Sequence, residues 1–111
     1  VAHIYHLCSA NSYVKPTVYQ GMYNAITREV ERELFPCLRQ LGINFYAYNP
    51  LAGGLLTGKH SKQAGPAAGR FKDNKMYTDR FWKDSYFEAA EQIKAACDAE
   101  GVSMVDAAMV W

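Results

Sequence analysis

The spacing of apolar residues predicts a helix followed by a strand at the beginning of the chain. Residues 2–13 carry apolar side chains at helical spacing, and Asn11 is a plausible end of that helix. Pro16 disfavours helical backbone angles at the residue before it. Residues 17–20 are mainly β-branched or aromatic, which favours a strand. We expect Gly21 to end this strand and a loop to follow it.

A second helix and a second strand are predicted next. Thr27 is placed to cap the helix, and Pro36 predicts a kink or a restart with the proline in a first turn. Gly42 suits the end of the helix. The residues expected on its buried stripe are Val30, Leu34, Leu38 and Leu41. Residues 43–48 are apolar or aromatic except for Asn44, which favours a strand buried on both faces, as in parallel sheets.

The rest of the chain is predicted to form a long loop and two helices. Residues 49–70 are rich in glycine and proline and show no apolar period, so a long loop is expected. Residues 84–99 have helical spacing, and Ser103 with Asp106 forms a capping box for a further helix. The alternation of helices and strands predicts an α/β fold with parallel strands. Because two strands do not make a free-standing parallel sheet, we expect neighbouring strands to lie outside these residues.

The composition is that of an ordinary globular protein and disfavours several classes of partner. Of the 111 residues, 50% are hydrophobic and 21% are charged, and the formal net charge is +1. Without a basic stripe, nucleic acid is not an expected partner. No apolar run reaches the roughly 18 residues that span a bilayer, so no membrane is expected. The three cysteines, Cys8, Cys37 and Cys97, are widely spaced on predicted helices, which favours reduced thiols in the cytoplasm.

The beginning of the chain does not have the pattern of a natural N-terminus. The chain starts with Val1 and shows no signal-peptide pattern, so we expect it to begin inside a longer protein.

Three possible metal ligands lie close together near the start of the chain. His3 and His6 are spaced to share a helix face, whereas Cys8 would point elsewhere. No second group of ligands follows. A solvated or packed start of a helix is therefore favoured, and no metal is expected.

Two side chains at the predicted strand ends suit a flat ring that bears a carboxamide. Ligands bind beyond the carboxyl ends of parallel strands, and Gln20 and Tyr48 close the two predicted strands. An aromatic ring stacks on such a ligand and an amide hydrogen-bonds it. The chemistry alone favours the simpler interpretation, in which Tyr48 packs and Gln20 caps a loop.

The segment that begins at Tyr48 changes this balance, because it resembles the seventh-strand loop of aldo-keto reductases. Residues 48–59 read YNPLAGGLLTGK, and the runs YQGMYN at 19–24 and ELFPCL at 33–38 strengthen the match. The whole chain resembles the aflatoxin-aldehyde or succinic semialdehyde reductase branch of that superfamily. The resemblance implies that residues 1–111 are a partial NADP-dependent oxidoreductase domain. Its fold would be a fragment of a (β/α)8 TIM barrel, from about helix five to helix seven.

The resemblance also implies what each matching residue binds. Gln20 would hydrogen-bond the nicotinamide carboxamide of NADP(H), and Tyr48 would stack on the nicotinamide ring. Lys59 and Arg70 would reach the cofactor phosphates, and Arg80 would hold a substrate carboxylate. The loop that would wrap the pyrophosphate with backbone N–H groups consists of Asn49, Pro50, Leu51, Ala52, Gly53 and Gly54. For the three basic residues, ordinary solvated loop charges stay the alternative.

The implied activity is the reduction of a small aldehyde or ketone by hydride transfer from NADPH, without a metal. A homodimer is one assembly that the resemblance allows. The family's catalytic Asp, Tyr, Lys and His would come from earlier strands, so we expect these residues to supply only the nicotinamide- and pyrophosphate-binding half of the site. Residues 1–111 alone should be inactive and marginally folded, because both strands would have open edges.

Two other functions stay open. Residues 53–59 nearly match the P-loop pattern G-x-x-x-x-G-K-[ST] and follow a strand. Against a P-loop, His60 replaces the hydroxyl that would ligate Mg²⁺, and residues 61–69 do not favour a helix. The other alternative is a non-catalytic, cofactor-binding regulatory subunit of the same superfamily, of the kind that binds a membrane-channel partner.

Overall fold

A computed structural model describes residues 1–66 and 69–111 of the chain. Its helices and strands are, in order, α1 (Ala2–Ala10), β1 (Val18–Met22), α2 (Leu34–Leu41), β2 (Asn44–Tyr48), α3 (Lys75–Phe81), α4 (Asp84–Ala99) and α5 (Met104–Val110). Short 3-10 segments lie at Glu29–Glu31, Ala52–Thr57 and Gly69–Phe71. The chain divides into a strand unit, Val1–Tyr23 with Arg28–Tyr48, and a loop-helix unit, Asn24–Thr27 with Asn49–Trp111.

The strand unit contains a parallel pair of strands joined through α2. Gln20 lies opposite Tyr46 in the register, and Met22 lies opposite Tyr48. The predicted α/β arrangement with parallel strands is therefore confirmed for these residues. Within the described part of the chain the sheet has only β1 and β2, so each strand has one edge without a strand partner.

One face of this sheet is covered by aromatic rings. Tyr19 stacks on Phe45 at a centroid distance of 5.9 Å, and Phe35 of α2 meets Phe45 edge-on at 4.9 Å. Gly21 is buried between these rings, and a Cβ atom there would lie 2.9 Å from Phe45 Cε2. The prediction that Gly21 ends the strand is wrong, because the missing side chain is what lets the rings pack over the strand interior.

The opposite face of the sheet is open. The Tyr46 and Tyr48 side chains are 61% and 42% exposed, and Gln20 on the same face is also exposed. The prediction that residues 43–48 are buried on both faces is therefore wrong for the described residues. Burial of both faces requires a layer of side chains over each, and only the Phe45 side has one.

The second predicted helix is divided, and its proposed cap is wrong. Thr27 does not cap a helix; its N–H donates to the Asn24 carbonyl at 3.0 Å in an isolated bridge. The chain passes through the 3-10 segment at Glu29–Glu31 and restarts as α2, with Pro36 in the first turn as predicted. Gly42 ends α2 at a φ of 66°, which confirms its predicted place.

A small charge cluster lies just before α2. The Glu31 carboxylate accepts hydrogen bonds from Arg28 at 2.8 and 3.0 Å and from the Tyr23 hydroxyl at 2.8 Å. The Arg28 hydrogen bond, followed by that from Tyr23, holds the pKa of Glu31 below its ordinary value of 4.5. A carboxylate with a lowered folded-state pKa stabilises the fold above 4.5, and this contribution is lost as the pH falls through the lower folded-state value.

Replacing Arg28 by glutamine should therefore raise the pKa of Glu31 toward 4.5. The change removes the charged donor and leaves the Tyr23 hydroxyl in place. Carboxyl chemical shifts followed by NMR between pH 2 and 7 measure it, with Arg39→Gln on the exposed side of α2 as the control. An unchanged titration of Glu31 in Arg28→Gln would contradict the assigned cause.

The core of the loop-helix unit is formed by apolar side chains from its loop and its helices. The most buried of these are Ala52, Leu55, Leu56, Phe71, Phe81 and Phe87. Helix α4 has the predicted bounds, and Ser103 caps α5 by accepting a hydrogen bond from the Asp106 N–H at 3.4 Å, as predicted. Helix α3 was not predicted. Its cap is Asn74, whose Oδ1 accepts from the Tyr77 N–H at 3.3 Å.

Candidate functional site

The long loop predicted over residues 49–70 begins with a tight turn built on left-handed backbone angles. Gly53 and Gly54 have φ values of 71° and 116°, and Asn49 and Ala52 adopt 65° and 49°. Glycine takes such angles without steric cost, and asparagine tolerates them better than most residues. The backbone angles of this turn, residues 49–54, therefore follow largely from its own sequence, and we call it the glycine turn. Ala67 and Ala68, which the predicted loop includes, lie outside the described residues.

The backbone N–H groups of the glycine turn are largely used within the turn itself. The Gly53 N–H donates to the Asn49 side-chain oxygen at 2.9 Å, and the Gly54 N–H donates to the Leu51 carbonyl at 2.8 Å. The Ala52 N–H donates to the Asn49 carbonyl at 3.0 Å. Phosphate binding by these three N–H groups would require the internal bonds to be shared or broken. Binding of an anion here would therefore depend mainly on the side chains beside the turn.

A buried amide that the sequence did not single out anchors the turn. Asn24 is 2% exposed, and its side-chain nitrogen donates to the Asn49 carbonyl at 3.0 Å. Its side-chain oxygen accepts from the Ile26 N–H at 3.2 Å. Because a buried amide is costly unless it is hydrogen-bonded, these contacts fix the point where the turn begins. No local pattern marks Asn24 as buried, so only its contacts reveal the role.

A pocket of about 430 Å³ lies against the glycine turn, within the size range of small-molecule sites. The residues that line it are Asn49, Pro50, Leu51, Gly53, Gly54, Thr57, Lys59, His60, Gly69 and Arg70. Most of the predicted pyrophosphate loop is thus brought together with Lys59 and Arg70. Ala52 is the exception, because its side chain is fully buried beneath the turn and does not line the pocket.

The pocket presents positive charge from two side chains, Lys59 and Arg70. Lys59 and Arg70 are both exposed, and neither has a carboxylate within 4.0 Å among residues 1–66 and 69–111. The Arg70 guanidinium donates instead to the Tyr77 hydroxyl at 3.0 Å. Two cations beside a glycine turn favour a ligand with negative charge, such as a phosphate.

His60 also lines the pocket. The sequence indicated only that His60 does not fit the P-loop pattern. Its ring packs edge-on against Phe71 and Trp82 at centroid distances of 5.0 and 6.0 Å. A Cβ atom on Gly54 would lie 3.2 Å from the His60 Nε2 atom. The imidazole is thus held by aromatic rings over the glycine turn.

The strand unit carries the two residues predicted to bind a nicotinamide. Gln20 lies opposite Tyr46, and Tyr48 lies two residues further along β2, so all three share the open face of the sheet. Gln20 and Tyr48 are therefore diagonal neighbours near the carboxyl ends of parallel strands. The sequence placed them on one face, and the register confirms that placement; their ligand stays a prediction.

Arg80, the predicted substrate anchor, is not among the residues that line the pocket. It is exposed on α3, where Lys75 and Asp79 form an ion pair. The structure shows an accessible guanidinium with no carboxylate within 4.0 Å among the described residues. Its role in binding a substrate stays a prediction.

The geometry disfavours the P-loop alternative. A P-loop lysine opens an α-helix, whereas no helix begins at Lys59, and residues 59–61 have no regular structure. Over the described ranges, no group of three or more His, Cys, Asp or Glu side chains is placed to hold a metal ion. None of the helices in the same ranges combines the length and apolar character needed to cross a bilayer.

Comparison with known proteins adds sequence similarity over the whole chain. Residues 1–111 match the family model described as "Aldo/keto reductase family". The chain is 51% identical to "Aldo-keto reductase family 7 member A3" of Homo sapiens, a match that covers 100% of the chain and 37% of that protein. It is 52% identical to "Aflatoxin B1 aldehyde reductase member 2" of Homo sapiens, with 100% and 34% covered.

Similarity extends to more distant proteins as well. "Oxidoreductase sirO" of Leptosphaeria maculans is 37% identical, over 100% of the chain and 35% of that protein. The chain therefore spans about a third of the length of these relatives.

Proposed function

Because the chain belongs to the aldo/keto reductase family, in the aflatoxin-aldehyde reductase branch, we propose that it is part of an NADPH-dependent reductase of small aldehydes or ketones. In this proposal the chain supplies the groups that bind the nicotinamide and the pyrophosphate. The residues that would donate the proton lie outside residues 1–111, as the resemblance to the family implies. The names of the human relatives, which include an aflatoxin B1 aldehyde reductase, support an aldehyde as substrate.

One observation carries the proposal: the pocket on the glycine turn combines close backbone approach with two cations that have no acidic partner among residues 1–66 and 69–111. Gly53 and Gly54 leave room for a ligand next to the backbone, while Lys59 and Arg70 supply charge. A dinucleotide pyrophosphate has the size and charge that such a pocket accepts. The residues present therefore fit the cofactor that the family uses.

The strand unit supports a place for β1 and β2 as the sixth and seventh strands of a (β/α)8 barrel. In such a barrel one face of every strand is covered by helices and the other faces the interior. β1 and β2 have one face covered by Tyr19, Phe35 and Phe45 and one open face. The free strand edges are where neighbouring strands would pair, and α4 would then be helix seven.

The bound nicotinamide cofactor would supply the hydride for reduction of the carbonyl. Within this chain, Tyr48 would hold the ring by stacking and Gln20 would hydrogen-bond the carboxamide. Lys59 and Arg70 would hold the phosphates. These residues bind and orient, and none of them is proposed to transfer a proton.

The proposal is tested by carbonyl-dependent oxidation of NADPH by the full-length protein. We expect turnover with small aldehydes such as succinic semialdehyde, measured as loss of absorbance at the NADPH band. Activity with NADH should be weaker. Tight NADPH binding without turnover of any small aldehyde or ketone would favour the regulatory-subunit alternative. A protein that binds neither NADPH nor NADH would refute the proposal.

Variants of the two cations test the pocket separately from the chemistry. Lys59→Ala and Arg70→Ala should each weaken NADPH binding about tenfold, the scale of one hydrogen bond to a charged group. Lys72→Ala is the matched control, since Lys72 is exposed two residues after Arg70 but does not line the pocket. Equal losses in all three variants would indicate a general charge effect in place of a site.

Tyr48→Ala should weaken NADPH binding by roughly two- to tenfold, as expected for the loss of one stacked aromatic ring, worth about 0.5–1.5 kcal/mol. The fold should change little, because the Tyr48 side chain is 42% exposed. Titration of NADPH fluorescence measures the affinity, with Tyr46→Ala on the same face as the control. If both variants lose the same affinity, Tyr48 has no special contact with the cofactor.

Arg80→Ala should raise the KM for aldehydes that carry a carboxylate by about tenfold, because a hydrogen-bonded charge pair is lost. Neutral aldehydes of the same length should be almost unaffected. Initial rates with the two substrate classes measure this difference, and Lys75→Ala on the same helix is the control. A similar rise in KM for both classes would remove Arg80 from substrate binding.

The cytoplasmic location and the homodimer stay predictions.

A further inference from the structure

We infer that Tyr77 is a positioning residue that holds the Arg70 guanidinium toward the pyrophosphate of the dinucleotide, an inference that rests on the proposed function. The Arg70 Nη1 atom donates to the Tyr77 hydroxyl oxygen at 3.0 Å, and its guanidinium carbon lies 5.8 Å from the Tyr77 ring centroid. Arg70 lines the pocket whereas Tyr77 does not, so Tyr77 would act through Arg70.

The chemistry of the partner is what makes this arrangement suited to anion binding. Arginine is a long side chain with many rotamers, and fixing it costs conformational entropy when a ligand binds. A carboxylate partner would fix it but would also neutralise its charge. The Tyr77 hydroxyl is a neutral acceptor, and within residues 1–66 and 69–111 no carboxylate lies within 4.0 Å of Arg70. The guanidinium is therefore oriented while its charge stays available to a phosphate.

Tyr77 is itself held firmly. Its backbone N–H donates to the Asn74 side-chain oxygen that caps α3. Its ring has Phe71 and Phe81 as neighbours at centroid distances of 6.3 and 6.1 Å. Both phenylalanines are fully buried, so the tyrosine is attached to the core of the loop-helix unit.

The same ring also contacts the glycine turn. A Cβ atom on Gly53 would lie 3.0 Å from Tyr77 Cδ1, which places the ring directly against that glycine. Tyr77 therefore contacts two groups that line the pocket: the glycine turn through its ring and Arg70 through its hydroxyl. This double contact would set the distance between the glycine turn and the guanidinium that share the proposed ligand.

Tyr77→Phe in the full-length protein tests the inference, because it removes the hydroxyl and keeps the ring. We expect the Kd for NADPH and the Kd for NADH to rise by the same factor, roughly two- to tenfold, the scale of one hydrogen bond. Both cofactors contain the pyrophosphate. A loss of affinity confined to NADPH would therefore overturn the assignment of the pyrophosphate as the group that Arg70 binds. Tyr86→Phe, a tyrosine of α4 that does not line the pocket, is the control and should bind like the wild type.

A double-mutant cycle separates positioning from packing. In an Arg70→Ala background, Tyr77→Phe should cause no further loss of NADPH affinity, because the group that it orients is absent. Equal losses with and without Arg70, or a large fall in Tm that accompanies them, would show a packing role and overturn the inference. If Tyr77→Phe binds NADPH like the wild type while Arg70→Ala binds it weakly, the positioning role of Tyr77 is overturned and the proposed function stands. A wild-type protein that binds no dinucleotide would refute the proposed function first.

Discussion

Phe71→Ala should lower the free energy of unfolding by about 3–5 kcal/mol, which is among the largest effects that we expect of a single substitution in the chain. The Phe71 side chain is fully buried, and its ring meets those of His60, Tyr77 and Trp82 at 5.0, 6.3 and 5.0 Å. Truncation removes this apolar burial and leaves a cavity beneath the pocket. Urea denaturation of the full-length protein, followed by circular dichroism, measures the change.

Two further variants make the Phe71 experiment specific. Met76→Ala removes a large apolar side chain that is 63% exposed on α3, and it should change the stability by less than about 0.5 kcal/mol. Phe71→Leu keeps most of the volume and should fall between the wild type and Phe71→Ala. A loss in Phe71→Ala no larger than that in Met76→Ala would show that Phe71 is not part of the core.

Gly53→Ala should weaken NADPH binding and destabilise the loop-helix unit by about 1–3 kcal/mol more than Gly65→Ala. The two glycines have nearly the same φ, 71° and 68°, so an alanine at either position would have to adopt a similar left-handed φ. Their surroundings differ. A Cβ atom on Gly53 would lie 3.0 Å from Tyr77 and 3.1 Å from Phe71. A Cβ atom on Gly65 would have no atom within 4 Å among residues 1–66 and 69–111, its two chain neighbours aside.

The Gly53 experiment thus isolates the close approach of side chains to the glycine turn. Denaturation curves give the stability of both variants, and fluorescence titration gives their affinity for NADPH. Gly65 does not line the pocket, so Gly65→Ala should bind NADPH like the wild type. Equal effects at the two positions would mean that backbone angle alone requires a glycine at position 53.

Several elements follow from local sequence. Helix α4 was predicted with its observed bounds, because an apolar side chain recurs at helical spacing over 16 residues. The restart of α2 follows from Pro36, which lacks an N–H and fits only a first turn, and its end follows from Gly42. The grouping of Lys59 and Arg70 with the glycine turn was predicted from resemblance to a family, and the pocket shows that they are neighbours.

Other features depend on contacts between residues distant in sequence. Gly21 was predicted to end a strand, and it lies inside β1 because the rings of Tyr19 and Phe45 need its missing side chain. The open face of β2 was predicted to be buried, since apolar composition does not say whether a second layer covers the strand. Helix α3 was missed, because its seven residues are too few for an apolar period to stand out.

By itself, the sequence determined the family, the alternation of α1, β1, α2 and β2 with parallel strands, and the glycine-rich turn, because these depend on local backbone preferences and on motifs of a few residues. Only the tertiary structure decided that Asn24 anchors that turn, that Ala52 is buried beneath it, and that Tyr77 holds Arg70. The reason is physical: a hydrogen bond or a buried side chain is specified by whatever lies opposite it in space. For Asn24 that partner is the carbonyl of Asn49, 25 residues further along the chain.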